Sequence, residues 1–404
     1  MRIAQLTQDW SAGGGVGRYV RDLTEALRAA GHEVLVVHAA GGAADESGSC
    51  AIADFAAFAD EATSRERAAA VLAALDRFGP DVVHLQSNNN FLLEAEIRRR
   101  YPSLKTLHVY DFCPSGNKYH HALRRPCHHP TSPLCVPRMA YKRCVLDKRP
   151  AVIVRAYRRA VAANRSNAGS PALIVASEHV RRAAMASGYT AAHVHTLPYF
   201  TVLPSRTLPP PPPASATVLF SGRLVREKGL HALLAAVATI DRPWTLLVAG
   251  DGMDRPYAVR VAQRLGVADR VRFLGWLDRD DVARCYAEAT VVAVPSVWPE
   301  PFGIVGLEAM AFGRPVVAFD VGAISEWLAD DETGFLVPAG DVGAMADRLT
   351  RVLADPALAA SLGARGRARV ERDFSPGGHV GRLLHLYADV TSAFRAPDRR
   401  VPVS

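Results

Sequence analysis

In SVWPEPFGIVGLEAM, from Ser296 to Met310, two glutamates, Glu300 and Glu308, stand eight residues apart in otherwise apolar sequence. Burying an unpaired carboxylate costs several kcal/mol, so each needs a partner. Pro299 and Pro301 force extended backbone around Glu300, and a helix is expected from about Phe302 to Phe312, where Gly313 and Pro315 stop it. The amides of Phe302, Gly303, Ile304 and Val305 would lack intrahelical partners at that N-terminus, which is a place for an anion. Glu308 interrupts the apolar face of Ile304, Val305, Leu307 and Met310. Sugar hydroxyls, each a donor, suit such a carboxylate; an arginine within the core is the structural alternative.

A second group is SGRLVREKGL, Ser221 to Leu230, where Arg223 and Lys228 could offer a guanidinium fork and a point charge to a diphosphate. The plainer reading is solvated charge, with Glu227 pairing to either. The third is the turn GGGVGR, Gly13 to Arg18, whose Gly14 and Gly15 let backbone approach a ligand ahead of a helix N-terminus. Tight packing alone would also account for it. It is not a GxGxxG followed by a ribose-binding acid, since the next strand ends in HAAGG. Asp278, Arg279 and Asp280 form a lone DxD just before a helix, and Asp278 reads as an N-cap.

These groups need elements to hold them. MRIAQLT, the glycine turn, a helical run with Val20, Leu23, Ala26 and Leu27, and HEVLVVHAA form the strand, turn, helix, strand unit of a parallel sheet. PDVVHLQ, LKTLHVY and ALIVAS continue it. The Pro-rich stretch ending in PPPPPASA then interrupts, and the alternation restarts at ATVLFSG. The expected fold is α/β, with two Rossmann-like doubly wound domains facing a central cleft: 1–203, a linker at 204–216, and 217–375. A length of 404 residues suits two such domains, and 49% hydrophobic with 22% charged residues is a globular composition.

EPFGIVGLEAMAFGRPVVA resembles the E-x7-E signature of family 4 retaining glycosyltransferases of the GT-B fold, and GRLVREKG, the glycine turn and the order of elements extend the resemblance along nearly the whole chain. The resemblance implies that Arg223 and Lys228 hold the diphosphate of a nucleoside diphosphate sugar and that Glu308 grips the ribose hydroxyls. Glu300 would contact the transferred sugar, the amides of Phe302 to Val305 sugar and phosphate, and Gly14 and Gly15 the diphosphate. His108 in KTLHVYDF matches a histidine beside the sugar, there to orient it or pass a proton. Residues 1–203 would bind a hydroxyl acceptor (saccharide, lipid or small molecule), and 217–375 the donor. The last helix, within 376–404, would return to the first domain. Arg223, Lys228 and the helix amides would stabilise the departing diphosphate without a catalytic metal or other cofactor. His108 is followed by Val109, where many relatives have Asp, and VGAISEW departs from the usual Gly-Gly and Pro-Glu, leaving Glu326 without an assigned role.

Cys113, Cys127, Cys135 and Cys144 cluster in one basic, loop-like segment with His120, His121, His128 and His129. A structural zinc, reduced thiols and a disulfide remain open, because the spacing lacks a close C-x2-C pair. The net charge of +8 could steer a nucleotide or hold the protein peripherally at an acidic lipid surface, while the scattered arginines argue against nucleic acid. The opening residues lack a signal-peptide pattern and no stretch of about 18 apolar residues occurs, so a cytoplasmic location, at most peripheral to the inner membrane face, is expected. The rival functions are an NAD(P)-dependent oxidoreductase and a non-catalytic nucleotide-sugar-binding protein.

Overall fold

The computed structural model describes residues 1–10, 14–39, 48–145, 147–204 and 216–395. Seven strands form an all-parallel first sheet: β1 (Arg2–Thr7), β2 (Glu33–His38), β3 (Ser49–Ala51), β4 (Val82–Ser87), β5 (Ser103–Leu107), β8 (Leu173–Val175) and β9 (Val194–Thr196), in the order β3-β2-β1-β4-β5-β8-β9. Between β5 and β8 lies a small antiparallel hairpin, β6 (Tyr119–His120) with β7 (Arg125–Pro126). The second sheet, also parallel, runs β12-β11-β10-β13-β14-β15, from β10 (Thr217–Ser221), β11 (Thr245–Ala249), β12 (Val271–Gly275), β13 (Val291–Val294), β14 (Val316–Phe319) and β15 (Gly334–Val337). Strands such as VVAV and VVAF are buried along their whole length because helices cover both faces of a parallel sheet.

In both sheets the order reverses beside the first strand, at β1/β4 and β10/β13, and ligands of open α/β sheets bind outside the carboxyl ends of strands at such points. The carboxyl-end loops of the two sheets face each other. Tyr110, after β5, donates to the Pro299 carbonyl after β13 at 3.0 Å, and Ser177, after β8, donates to the Pro301 carbonyl at 2.7 Å. The helix Pro376–Arg395 lies on the first domain, where Val380, Leu383, Tyr387 and Val390 share a core with Ile3, Val20 and Leu23. The expected linker at 204–216 falls almost wholly outside the described residues, as does Gly13. Among the described residues no helix is long and apolar enough to cross a membrane.

Candidate functional site

The helix expected near Phe302 begins at Ile304 and ends at Ala311, with Gly303 as its N-cap at φ 91°. Glycine alone enters that left-handed region without strain, and no side chain caps the helix, so its first amides stay open to an anion. Phe302 belongs to the core rather than to the helix: its ring meets Tyr199 at 5.3 Å between centroids, and its carbonyl accepts from the Trp327 indole at 2.6 Å. Gly306 is required for a different reason. A Cβ there would lie 1.9 Å from the Trp327 ring.

Glu300 is only 3% exposed. Its Oε1 accepts from Lys228 Nζ at 2.7 Å and from the Ser296 hydroxyl at 2.5 Å. Lys228 reaches it because Gly229, at φ 70°, turns the chain against the Pro295 carbonyl, where a Cβ would come within 1.8 Å. The pairing expected for Glu227 differs: it meets His121 Nε2 at 3.4 Å rather than Arg223 or Lys228, so the hairpin segment of the first domain touches the loop after β10. Arg223 is exposed and its side chain forms no ion pair among the described residues.

Glu308, 5% exposed, is held from both sides. Its Oε1 lies 3.0 Å from Arg18 Nη1 and its Oε2 accepts from the Tyr286 hydroxyl at 2.9 Å. The arginine comes not from the surrounding core but from the opposite domain, on the helix Gly15–Ala29 that follows the glycine turn. Glu308 raises the pKa of Arg18, while burial pushes that of Tyr286 well above its usual value, with Glu308 adding to it. Gly14 is the N-cap of the same helix, which has neither a capping side chain nor an acidic residue in its first turn. Among the described residues nothing outside its own helix and chain neighbours lies within 4 Å of where a Cβ on Gly15 would stand, while the Asp9 carboxylate lies 2.9 Å from where one on Gly14 would stand. One turn beyond Arg18, Asp22 pairs with Arg279 at 3.4 Å, a further ion pair between the domains.

His108 reaches this group through Tyr199, whose ring packs on Phe302. It is 7% exposed, and both ring nitrogens are engaged: Nδ1 with the Tyr199 hydroxyl at 2.6 Å and Nε2 with Gln86 Oε1 at 3.0 Å. Burial lowers its pKa to about 3, so the ring is neutral at pH 7 and belongs to a buried network. Glu326, without a role in the sequence, accepts from the backbone amides of Glu178 and His179 at 2.8 and 2.7 Å, capping the helix Glu178–Met185 of the first domain. Asp278 is an N-cap, accepting from the Asp281 amide at 2.8 Å. Nothing in the sequence marked Tyr286 or Ser296; Arg18 lay inside the quoted glycine motif, but its partner is 290 residues away.

The four clustered cysteines are free thiols, and among the described residues no three His, Cys, Asp or Glu side chains are arranged to hold a metal ion.

Two parallel-sheet domains whose carboxyl-end loops meet across a cleft define the GT-B class. The chain belongs to the family 4 glycosyltransferases of that class: residues 13–203 match the model described as Glycosyltransferase Family 4, and residues 209–369 that described as Glycosyl transferases group 1. It is 32% identical over 191 residues to a glycogen synthase of Mycobacterium tuberculosis, a match covering 46% of each chain. It is 37% identical over 196 residues to a D-inositol 3-phosphate glycosyltransferase of Salinispora tropica, covering 46% of this chain and 40% of that one. These matches span about half the length of the curated relatives or less. Among solved structures, sucrose-phosphate synthase of Thermosynechococcus elongatus superposes with a TM-score of 0.75 at 26% identity, covering 97% of this chain and all of the other.

Proposed function

We propose that this protein is a retaining glycosyltransferase that moves a hexose-type sugar from a nucleoside diphosphate sugar to an acceptor hydroxyl in glycan, glycolipid or natural-product synthesis, with no metal in the chemical step. The observation that carries the reading is Lys228 on Glu300 at 2.7 Å, immediately ahead of the uncapped helix Ile304–Ala311. Breaking the bond from sugar to phosphate builds negative charge on the departing diphosphate, and a cation beside open helix amides would offset that charge. Arg223, exposed and without an ion pair among the described residues, would add a guanidinium fork. Glu300, already ionically held, would turn to accept from a sugar hydroxyl, and Glu308 would take the ribose. Gly14 and Gly15 would bring a second helix N-terminus, without a capping side chain, to the diphosphate from the opposite domain, while His108, held by Tyr199 and Gln86, would orient the sugar.

The donor would lie mainly on the second domain and the acceptor on the first, with closure excluding water and favouring transfer over hydrolysis. The relatives named glycogen synthase, inositol-phosphate glycosyltransferase and sucrose-phosphate synthase support a hydroxyl-bearing acceptor. The net charge of +8 fits a cytoplasmic enzyme whose acceptor is soluble or presented at an acidic lipid face. Both matched family models are glycosyltransferase models, so the oxidoreductase alternative is not favoured. The test is a screen of UDP-, GDP- and ADP-sugars for hydrolysis, followed by acceptors with the preferred donor, reading the product anomer by proton NMR. A product with the donor's anomeric configuration, formed in chelator, is expected. Inversion would overturn the retaining assignment, and tight donor binding without turnover on any acceptor would favour the non-catalytic binder.

A further inference from the structure

The positive charge of this chain is concentrated in one place. Residues 118–165 hold twelve of its 48 Lys and Arg but one of its 40 Asp and Glu, so the remainder, with 36 cations against 39 anions, is slightly acidic. The segment lies in the first domain between β5 and β8 and contains the hairpin β6–β7, the helix Cys135–Tyr141 and the helix Pro150–Ala168. A surface that serves solubility alone intersperses both signs. Here the only ion pair that the twelve cations make among the described residues is Arg149 with Asp147, at 2.6 Å.

Apolar side chains stand among these cations. Leu123 is 45% exposed, Leu134 59%, Tyr141 65% and Val154 45%, so large hydrophobic surface is left in water within the most highly charged part of the chain. The fold draws them onto adjoining elements. The Ala122 amide donates to the Lys142 carbonyl at 3.1 Å, which sets the hairpin turn with Leu123 and Arg124 beside the end of the helix Cys135–Tyr141. That helix packs on the helix Pro150–Ala168 through Met139 and Ile153, while Leu134, Pro137 and Tyr141, three and four residues apart, stay exposed along one side. Along Pro150–Ala168 the exposed line is Val154, Arg155, Arg158 and Arg165, again at helical spacing. Arg143 and Lys148, both exposed, lie in the connection between the two helices.

We propose that this surface docks on an acidic lipid bilayer, with the cations against the headgroups and Leu123, Leu134, Tyr141 and Val154 at the boundary with the acyl chains. Charge complementarity selects the partner: clustered, unpaired Lys and Arg are drawn to anionic headgroups, and apolar side chains beside them gain by leaving water. A nucleic acid would use the same cations but leave Leu123, Leu134 and Val154 without a role. The segment also carries His121 to within 3.4 Å of Glu227 in the loop after β10, so docking would bring the mouth of the cleft close to the bilayer. On the reading of sugar transfer given above, the acceptor hydroxyl is then one carried on the membrane; the docking itself does not rest on that reading.

The test is sedimentation of the full chain with vesicles of phosphatidylcholine alone or with about 30% phosphatidylglycerol, at roughly 0.1 M salt. Binding roughly tenfold or more tighter to the acidic vesicles is expected, weakening as salt is raised. Each cation near such a surface contributes about fivefold, so Arg143→Gln, Lys148→Gln, Arg158→Gln and Arg165→Gln combined should weaken binding by roughly tenfold or more. Arg77→Gln, Arg182→Gln, Arg260→Gln and Arg264→Gln combined remove the same charge from exposed positions elsewhere and should change binding less than about threefold. Leu134→Ser with Tyr141→Ser should weaken it about threefold or more at unchanged charge. All the replaced side chains are exposed, and a thermal melt of each variant checks the fold. Equal losses from the two charge variants would overturn the proposal, leaving only overall charge as the cause. So would equal binding to both vesicles, or tighter binding to a DNA duplex than to acidic vesicles at the same salt. Transfer to soluble acceptors is read in a separate assay, so failure of docking and failure of the sugar-transfer reading are told apart.

Discussion

Replacing Glu308 by glutamine tests the donor site most sharply, because it keeps the shape and removes the charge. An ionised carboxylate offers about four acceptor positions. Arg18 and Tyr286 occupy one on each oxygen, leaving two for the ribose hydroxyls without displacing either partner. The amide turns one oxygen into a donor that cannot accept from a hydroxyl. One charge-assisted bond, about 1.5–3 kcal/mol, is lost and the other weakened, for a total of about 2–3 kcal/mol. Nucleoside diphosphate should therefore bind roughly 30- to 150-fold more weakly. Stability should fall less than for a fully buried pair, by about 1 kcal/mol, because the Arg18 side chain is 28% exposed and relaxes into water. The assay is titration calorimetry of UDP and GDP against wild type and Glu308→Gln, with a thermal melt of each. Tyr286→Phe is the control and should cost about 1 kcal/mol, near fivefold. A folded Glu308→Gln protein whose nucleotide affinity stays within about threefold of wild type would refute the ribose assignment.

Gly306→Ala sets a methyl 1.9 Å from the Trp327 ring, so it should destabilise the second domain by about 1–3 kcal/mol, read as a lower urea midpoint. Glu326→Ala frees the first two amides of the helix Glu178–Met185, whose N-cap Ser177 still accepts from Val180, and removes one tie between the domains; about 1 kcal/mol of stability should be lost and small-angle scattering should show a larger radius, whereas unchanged scattering would leave Glu326 a local partner of those amides only. Burial lowers the pKa of His108 to about 3 and of His379 to about 4, and that of His84 well below its usual value. The unfolded chain therefore binds more protons below pH 6.5, so stability should be full above that value and fall as the pH drops toward about 4. The melting temperature should already decline between about pH 6.5 and 5, before most carboxylates titrate, and a flat profile there would contradict the buried neutral rings.

Much of the site was legible in the residues. β-branched apolar runs such as VVAV and VVAF, bounded by turn residues, read as strands covered on both faces, and glycines marked the helix starts at Gly14 and Gly303. Two carboxylates in apolar sequence demanded partners, because an isolated buried charge is too costly. Local pattern therefore determined the alternation of elements, the candidate residues Glu300, Glu308, Arg223 and Lys228, and the demand each carboxylate makes. It could not say who meets that demand, since a partner is selected by proximity in space and leaves no mark at a distance of hundreds of residues. Only the tertiary structure set Arg18 of one domain on Glu308 of the other, gave Lys228 to Glu300 and Glu227 to His121, and turned Glu326 into a cap. It also placed His108 in a network that engages both its nitrogens, and brought four thiols spread over 32 residues to the wall of one cavity. Sequence fixes the valence of each group; the fold, by bringing distant groups within bonding reach, decides how it is satisfied.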